Sequence, residues 1–186
     1  AWFKDMTNYD LSLMKFAFKA ASEMATALQL NEEAAHWKEV GEQLPAFDVD
    51  EEGSLTFAKG FPYDQSHRHF SHAMSIHPLG LLDYSQGEES RRIINATIKR
   101  LQDVGPDYWC GYSYSWFGNM KARAFDGEGA ARELKTFAEC FCLPNTFHAN
   151  GDQTKSGKSK FTYRPFTLEG NFAFAAGIQE MLMQSH

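Results

Sequence analysis

The sequence predicts an all-α fold on three observations. Apolar residues recur at helical spacing in six segments, no stretch alternates apolar and polar residues convincingly as a half-buried strand would, and loops rich in Gly, Pro and Asn separate the periodic stretches. The first helix is predicted over residues 8–30, with Leu11, Met14, Phe18, Ala21, Met24, Ala25 and Leu28 facing inward and Asn8 or Asp10 capping its start. Asn31 then caps a second helix over 32–44, which carries Trp37, Val40 and Leu44 on one face and stops at Pro45. Together they form an αα-hairpin. A polar stretch with Gly53, Gly60 and Pro62 leads into a histidine-rich segment, 67–77, broken at Pro78. Residues 88–104 read as a helix with an inward stripe of Ile93, Ile94, Thr97, Ile98 and Leu101, ended by Gly105-Pro106. Residues 112–125 follow as a helix capped by Ser113, 126–129 as a turn, 130–141 as a helix, 144–168 as a long loop, and 171–184 as an apolar, small-residue helix.

The chain has 186 residues, so one domain or a piece of a larger one is expected. With 43% hydrophobic and 23% charged residues it can build a core, which excludes a disordered chain. The net charge is -6 and no basic run can neutralise successive phosphates, so nucleic acid is not expected as a partner. The Lys155 to Lys160 stretch reads as an exposed flexible loop. No window has the roughly 18 apolar residues of a membrane span. The opening Ala1-Trp2-Phe3-Lys4-Asp5 carries no initiator Met or signal-peptide pattern, and the chain is expected to be cut or processed. Cys110, Cys140 and Cys142 read as packed thiols, and nothing calls for a cofactor.

Three constellations can carry chemistry. In His67-Arg68-His69-Phe70-Ser71-His72, with His77 beyond, the imidazoles and guanidinium suit a hydrogen-bonding wall for a polyhydroxylated ligand. Zinc ligation is an alternative, but successive imidazoles point in different directions and no metal site is expected; capping and core packing is the other alternative. In the second, Trp109 to Trp116, the rings either stack on a sugar face or belong to the core. In the third, Glu169 and Asn171 stand directly before the last helix, where they serve as caps or where a carboxylate orients water for hydrolysis.

These residues resemble the C-terminal half of the catalytic domain of glycoside hydrolase family 95, whose best-known members are α-L-fucosidases. The family's His-Arg-His-x-Ser-His is intact at 67–72. Its Gly-Trp-Ser, Trp and Ala-Arg-Leu-x-Asp-Gly elements resemble Gly111-Tyr112-Ser113, Trp116 and Ala122-Arg123-Ala124-Phe125-Asp126-Gly127. Asn145-Thr146-Phe147 resembles Asn-Leu-Phe. The closing pattern is similar to Leu168-Glu169-Gly170-Asn171-Phe172-Ala173, Ala176-Gly177-Ile178 and Glu180 to His186.

The resemblance implies an (α/α)6 barrel of which residues 1–186 supply roughly the second half, as a partial catalytic domain, and an inverting hydrolysis of a terminal glycosidic bond. It assigns Glu169 as the catalytic carboxylate and His67, Arg68, His69, His72, Trp116 and Asn171 as substrate-binding residues. The general-acid Glu and a water-activating Asn pair are expected upstream, so the chain is expected to self-associate or to pair with the missing half. Glu169 replaces the family's Asp, and Leu55-Thr56-Phe57-Ala58 replaces Leu-Gln-Glu-Trp. The expected substrate is therefore a glycan ending in L-fucose, L-galactose or another α-linked sugar. A non-catalytic carbohydrate-binding or scaffold protein derived from a glycosidase is the alternative. Periplasmic or secreted localisation follows from the resemblance alone.

Overall fold

The structure is a computed structural model describing residues 6–184; the opening pentapeptide and the Ser185-His186 end of the closing pattern lie outside the described residues. Among these the fold is all-α, as the pattern predicts. Six α-helices and two short 3-10 turns are joined by loops holding four isolated β-bridges and no strand. The helices are α1 (Asn8–Ala27), α2 (Asn31–Glu42), α3 (Glu88–Val104), α4 (Gly111–Arg123), α5 (Gly127–Cys140) and α6 (Glu169–Leu182).

The start of α1 differs from the expected cap. Thr7 is the cap, its hydroxyl accepting the Asp10 N–H at 3.1 Å, while Asn8 is buried and its amide donates to the Asp48 and Thr56 carbonyls at 2.8 Å each. Gln29 takes a left-handed conformation, φ 61°, which ends the helix before Leu30. Of the predicted inward stripe, Leu11 and Ala25 are buried, but Met24 and Leu28 stay 65% and 69% exposed. Nothing among the described residues covers that side of the helix fully. The second helix begins at Asn31 with no side-chain cap, and Trp37 stacks on Phe18 across the hairpin at 5.8 Å.

The third helix has the predicted bounds. Ile94, Thr97 and Leu101 are buried, and the Thr97 hydroxyl accepts the Leu55 N–H at 3.0 Å, docking the 48–58 loop. In α4 the cap position belongs to Cys110. Ser113 lies inside the helix, where its hydroxyl accepts the Cys110 N–H at 3.1 Å and donates to the Arg68 carbonyl at 2.7 Å. The expected turn at 126–129 is instead the first turn of α5, because the Asp126 carboxylate caps the Gly129 N–H at 2.9 Å.

The core centres on rings. Phe70 meets Trp109, Trp116 and Phe117 at centroid distances of 5.1, 5.6 and 6.3 Å, so the histidine motif is pinned by its central residue. Helix α4 lies against both α5 and α6. Gly118 and Gly177 both abut Leu134, where a Cβ would come within 3.0 and 2.8 Å of its side chain, so small residues let the helices approach closely. Lys121, buried on α4, is paired with Glu133 at 2.7 Å, and Arg123 clamps Glu180 at 2.6 and 2.8 Å.

Residues 144–168 form the long loop expected, but its basic stretch is an organised turn. Asp152, buried, accepts from the Thr154 hydroxyl at 2.7 Å, the Thr154 N–H at 2.9 Å, the Lys158 N–H at 3.1 Å and the Ser156 hydroxyl at 3.2 Å. Burial pushes its carboxyl upward, but these donors outweigh it and hold the group below the usual carboxylate range.

Candidate functional site

Phe70 inside the core divides the histidine motif. His67, Arg68 and His69 form an exposed rim, whereas His72 is fully buried between Tyr63, stacked at 5.1 Å, and Phe57, edge-on at 4.7 Å. His72, expected to bind substrate, turns its ring toward the core, and neither nitrogen has a hydrogen-bond partner among the described residues. Desolvation first, and then the charge of His67, depress its pKa to about 3, so it is neutral.

The rim is held by its own backbone. The Tyr63 hydroxyl accepts the His67 N–H at 2.9 Å, the His67 Nδ1 accepts the His69 N–H at 3.1 Å, and Arg68 Nε donates to His69 Nε2 at 3.1 Å. Burial, and then the Arg68 and His67 charges, lower the His69 pKa against the opposing pull of Glu169. A neutral His69 accepting on Nε2 presents Nδ1–H as a donor.

Glu169 does not precede α6; it is its first residue, with Asn171 in the same first turn. A carboxylate there is favoured by the helix dipole. Its side chain is exposed and accepts no hydrogen bond among the described residues, yet its charge reaches three groups. It opposes the lowering of His69; it adds to burial in pushing the Tyr112 phenol up; and it opposes the burial that lowers His148. The fold therefore gathers Glu169, His69, Tyr112 and His148 from four separate stretches of chain.

His148 was not legible as a site residue. It is fully buried, its Nδ1 donates to the Thr167 carbonyl at 2.7 Å, and its N–H donates to Asn171 Oδ1 at 2.9 Å. A Cβ on Gly111 would lie 2.3 Å from its Nε2 and one on Gly170 would lie 2.4 Å from its Nδ1. The ring is thus wedged between the starts of α4 and α6. The two glycines beside family-like motifs were the available signal, since a glycine opening a helix marks a close approach.

Two further expected site residues have polar groups engaged within the fold. Asn171 latches the loop through its amide, since Oδ1 accepts the His148 N–H at 2.9 Å and Nδ2 donates to the Thr146 carbonyl at 2.9 Å. Trp116 is 7% exposed, donates through Nε1 to the His77 carbonyl at 3.0 Å, and lies under Tyr112 at 5.5 Å; the half-buried Tyr112 is the ring nearer the surface. Among the described residues no three His, Cys, Asp or Glu side chains group to hold a metal ion, and the inward turn of His72 takes one imidazole away from the rim.

The arrangement suits a hydroxyl-rich, uncharged ligand: donors on Arg68 and His69, a phenol on Tyr112, and the Glu169 carboxylate, which has no hydrogen-bond partner among the described residues and can orient a water molecule. Residues 2–182 match the glycosyl hydrolase family 95 catalytic domain. The chain is also 29% identical over 146 residues to Alpha-L-fucosidase 2 of Arabidopsis thaliana; the match covers 77% of this chain and 16% of that protein.

Proposed function

This chain belongs to glycosyl hydrolase family 95, and from that premise we propose that residues 1–186 are part of a catalytic (α/α)6 domain that hydrolyses a terminal α-linked sugar. L-Fucose and L-galactose are the proposed terminal sugars. The observation that carries this reading is Glu169, a carboxylate at a helix start with no hydrogen-bond partner among the described residues, whose charge reaches His69 and Tyr112. In the proposed inverting reaction it orients a water molecule and takes up its proton as the oxygen attacks the anomeric carbon, while a general acid outside this region protonates the departing oxygen. Arg68 and His69 hold the sugar hydroxyls, and His67 extends that wall.

Glu169 is one methylene longer than the family's Asp, which displaces its carboxylate by about 1 Å unless the backbone shifts, and misplacements of that size cost about a hundredfold in rate. Its exposure, with no hydrogen bond fixing it among the described residues, favours a second reading as a carbohydrate-binding descendant of a glycosidase. Product formation separates the two. The full natural polypeptide carrying these residues is expected to release the terminal sugar, and His69→Ala is expected to weaken kcat/KM by about 1–3 kcal/mol through loss of a ligand partner. Unchanged kinetics in His69→Ala would remove the rim from the site; binding without turnover in the wild type would favour the second reading.

The proposed location is periplasmic or extracellular, on the resemblance alone. No helix among the described residues is long and apolar enough to cross a membrane.

A further inference from the structure

Glu169 opens α6, yet no side chain among the described residues caps that helix, whose cap position is Leu168. The start of α6 is fixed from outside. We infer that His148 is a positioning residue for the hydrolysis, its imidazole setting the spacing between the Glu169 carboxylate at the start of α6 and the Tyr112 phenol at the start of α4. The inference rests on the hydrolase reading of Glu169 and adds a residue to that site.

Hydrogen bonding is the first argument. Thr167 stands two residues before Glu169, and its carbonyl accepts the His148 Nδ1 proton at 2.7 Å. Asn171 stands two residues after, and its Oδ1 accepts the His148 backbone N–H at 2.9 Å. The Thr167 hydroxyl also donates to Asn150 Oδ1 at 3.0 Å, while the Asn150 carbonyl accepts the Gly111 N–H, beside Tyr112, at 3.2 Å. Both helix starts are therefore held by one short stretch, 148–150.

The ring itself is the second. A Cβ on Gly111 would lie 2.3 Å from Nε2 and one on Gly170 would lie 2.4 Å from Nδ1, so each glycine abuts a different nitrogen of one imidazole. Tyr112 follows the first glycine and Glu169 precedes the second. The ring packs on Phe137 at 5.3 Å, and the Ser115 hydroxyl, one turn into α4, donates to the Gly170 carbonyl at 3.2 Å. The width of one imidazole thus sets how far apart the two side chains start.

Protonation is the third. A carbonyl only accepts, so Nδ1 carries the proton and Nε2 of the neutral ring is bare. That nitrogen is buried with no partner among the described residues. Burial lowers the His148 pKa against the Thr167 bond and the Glu169 charge, which favours the neutral form the contacts require. Fully buried, His148 touches no ligand and acts through Glu169.

The test uses the full natural polypeptide and 4-nitrophenyl α-L-fucoside or α-L-galactoside, with His148→Asn and His148→Gln compared. The Asn amide places its N–H donor where the imidazole Nδ1 stands, whereas the Gln amide places it near Nε2, away from the Thr167 carbonyl. Both variants lose the ring and should lose similar stability in denaturant titration. A carboxylate misplaced by about 1 Å costs about a hundredfold, so His148→Gln should lower kcat by that factor, with KM changed by less than about threefold. His148→Asn should keep kcat within about tenfold of the wild type. Equal kcat in the two variants, or kcat that simply follows stability, would overturn the role. If His148→Gln does not fold, His148→Ala replaces it with the same loss expected. If the wild type releases neither sugar, the hydrolase reading fails separately, and crystal structures of the wild type and the donor-less variant decide the positioning. A Glu169 carboxylate displaced by about 1 Å relative to the Tyr112 ring supports it, and an unmoved one overturns it.

Discussion

In α4, 11 of 13 residues are buried, whereas in α2 none is. The contrast lies in the neighbours. Helix α4 has α5 and α6 against it and the Phe70 ring cluster beside it, so even Lys121 is enclosed, paired with Glu133 at 2.7 Å and lying 4.5 Å over the Phe117 ring. The α1–α2 hairpin has one internal seam, Phe18 on Trp37, and its ion pairs Lys19–Glu23 and Lys38–Glu42 are exposed contacts at 3.9 Å that contribute little. Met24, Leu28 and Leu30 remain on its outside, as Phe172 and Leu182 do on α6. The candidate site is mounted on the enclosed block, where a buried ring and two glycines fix the helix starts. The hairpin is apolar surface that we propose a further part of the barrel, or a second copy of this chain, covers.

The largest effect expected from this contrast is on association. Residues 1–186 alone should self-associate through the uncovered rows, and light scattering checks it: a monomer over a wide concentration range would contradict the reading of the hairpin as unfilled interface.

Glycine substitutions sharpen the comparison. Gly111→Ala puts a Cβ 2.3 Å from His148 Nε2 and 2.7 Å from Phe141 Cβ, and should lower unfolding stability by about 3 kcal/mol. Gly41→Ala in α2 meets Phe18 Cβ at an ordinary 3.5 Å and should stabilise by about 0.5–1 kcal/mol through helix propensity. Denaturant titration of both variants measures the difference; similar values would mean that the two regions are equally tolerant.

The smaller effect concerns acid. The folded pKa of His72 is about 3, below its ordinary 6.5, so as pH falls below 6.5 the unfolded chain takes a proton that the folded chain refuses. Stability is lost progressively from 6.5 toward 3, by about 2 kcal/mol at pH 5 from this residue. Replacing it by Phe in the Tyr63–Phe57 box should flatten the acid limb of a stability–pH curve. An unchanged slope would show that His72 is not the group responsible.

Residues 88–104 were legible to the residue because a strong apolar stripe is bounded by Gly87 and Gly105. The last two helices start earlier than the pattern suggests: Gly127-Glu128-Gly129 has turn composition, and only the Asp126 cap draws it into α5. The uncovered stripe of α1 was misjudged because periodicity reports which face is apolar, not whether anything packs on it. In the site, Glu169 and the rim histidines carried a readable motif. The inward turn of His72 depends on Phe70 filling a cluster assembled from distant residues, which spacing does not encode. His148 acts through contacts with Gly111 and Gly170, glycines that lie far from it in the chain, and it sits in no motif of its own.

The central claim is that Glu169 orients the attacking water, and the rate of sugar release by Glu169→Gln in the full natural polypeptide tests it most directly. Removing the charge should lower kcat by about a hundredfold or more, whereas Glu169→Asp, which keeps the carboxylate, should change it only modestly. Hydrolysis undiminished in Glu169→Gln would contradict the account and leave Glu169 as a helix-start acid with no part in the chemistry.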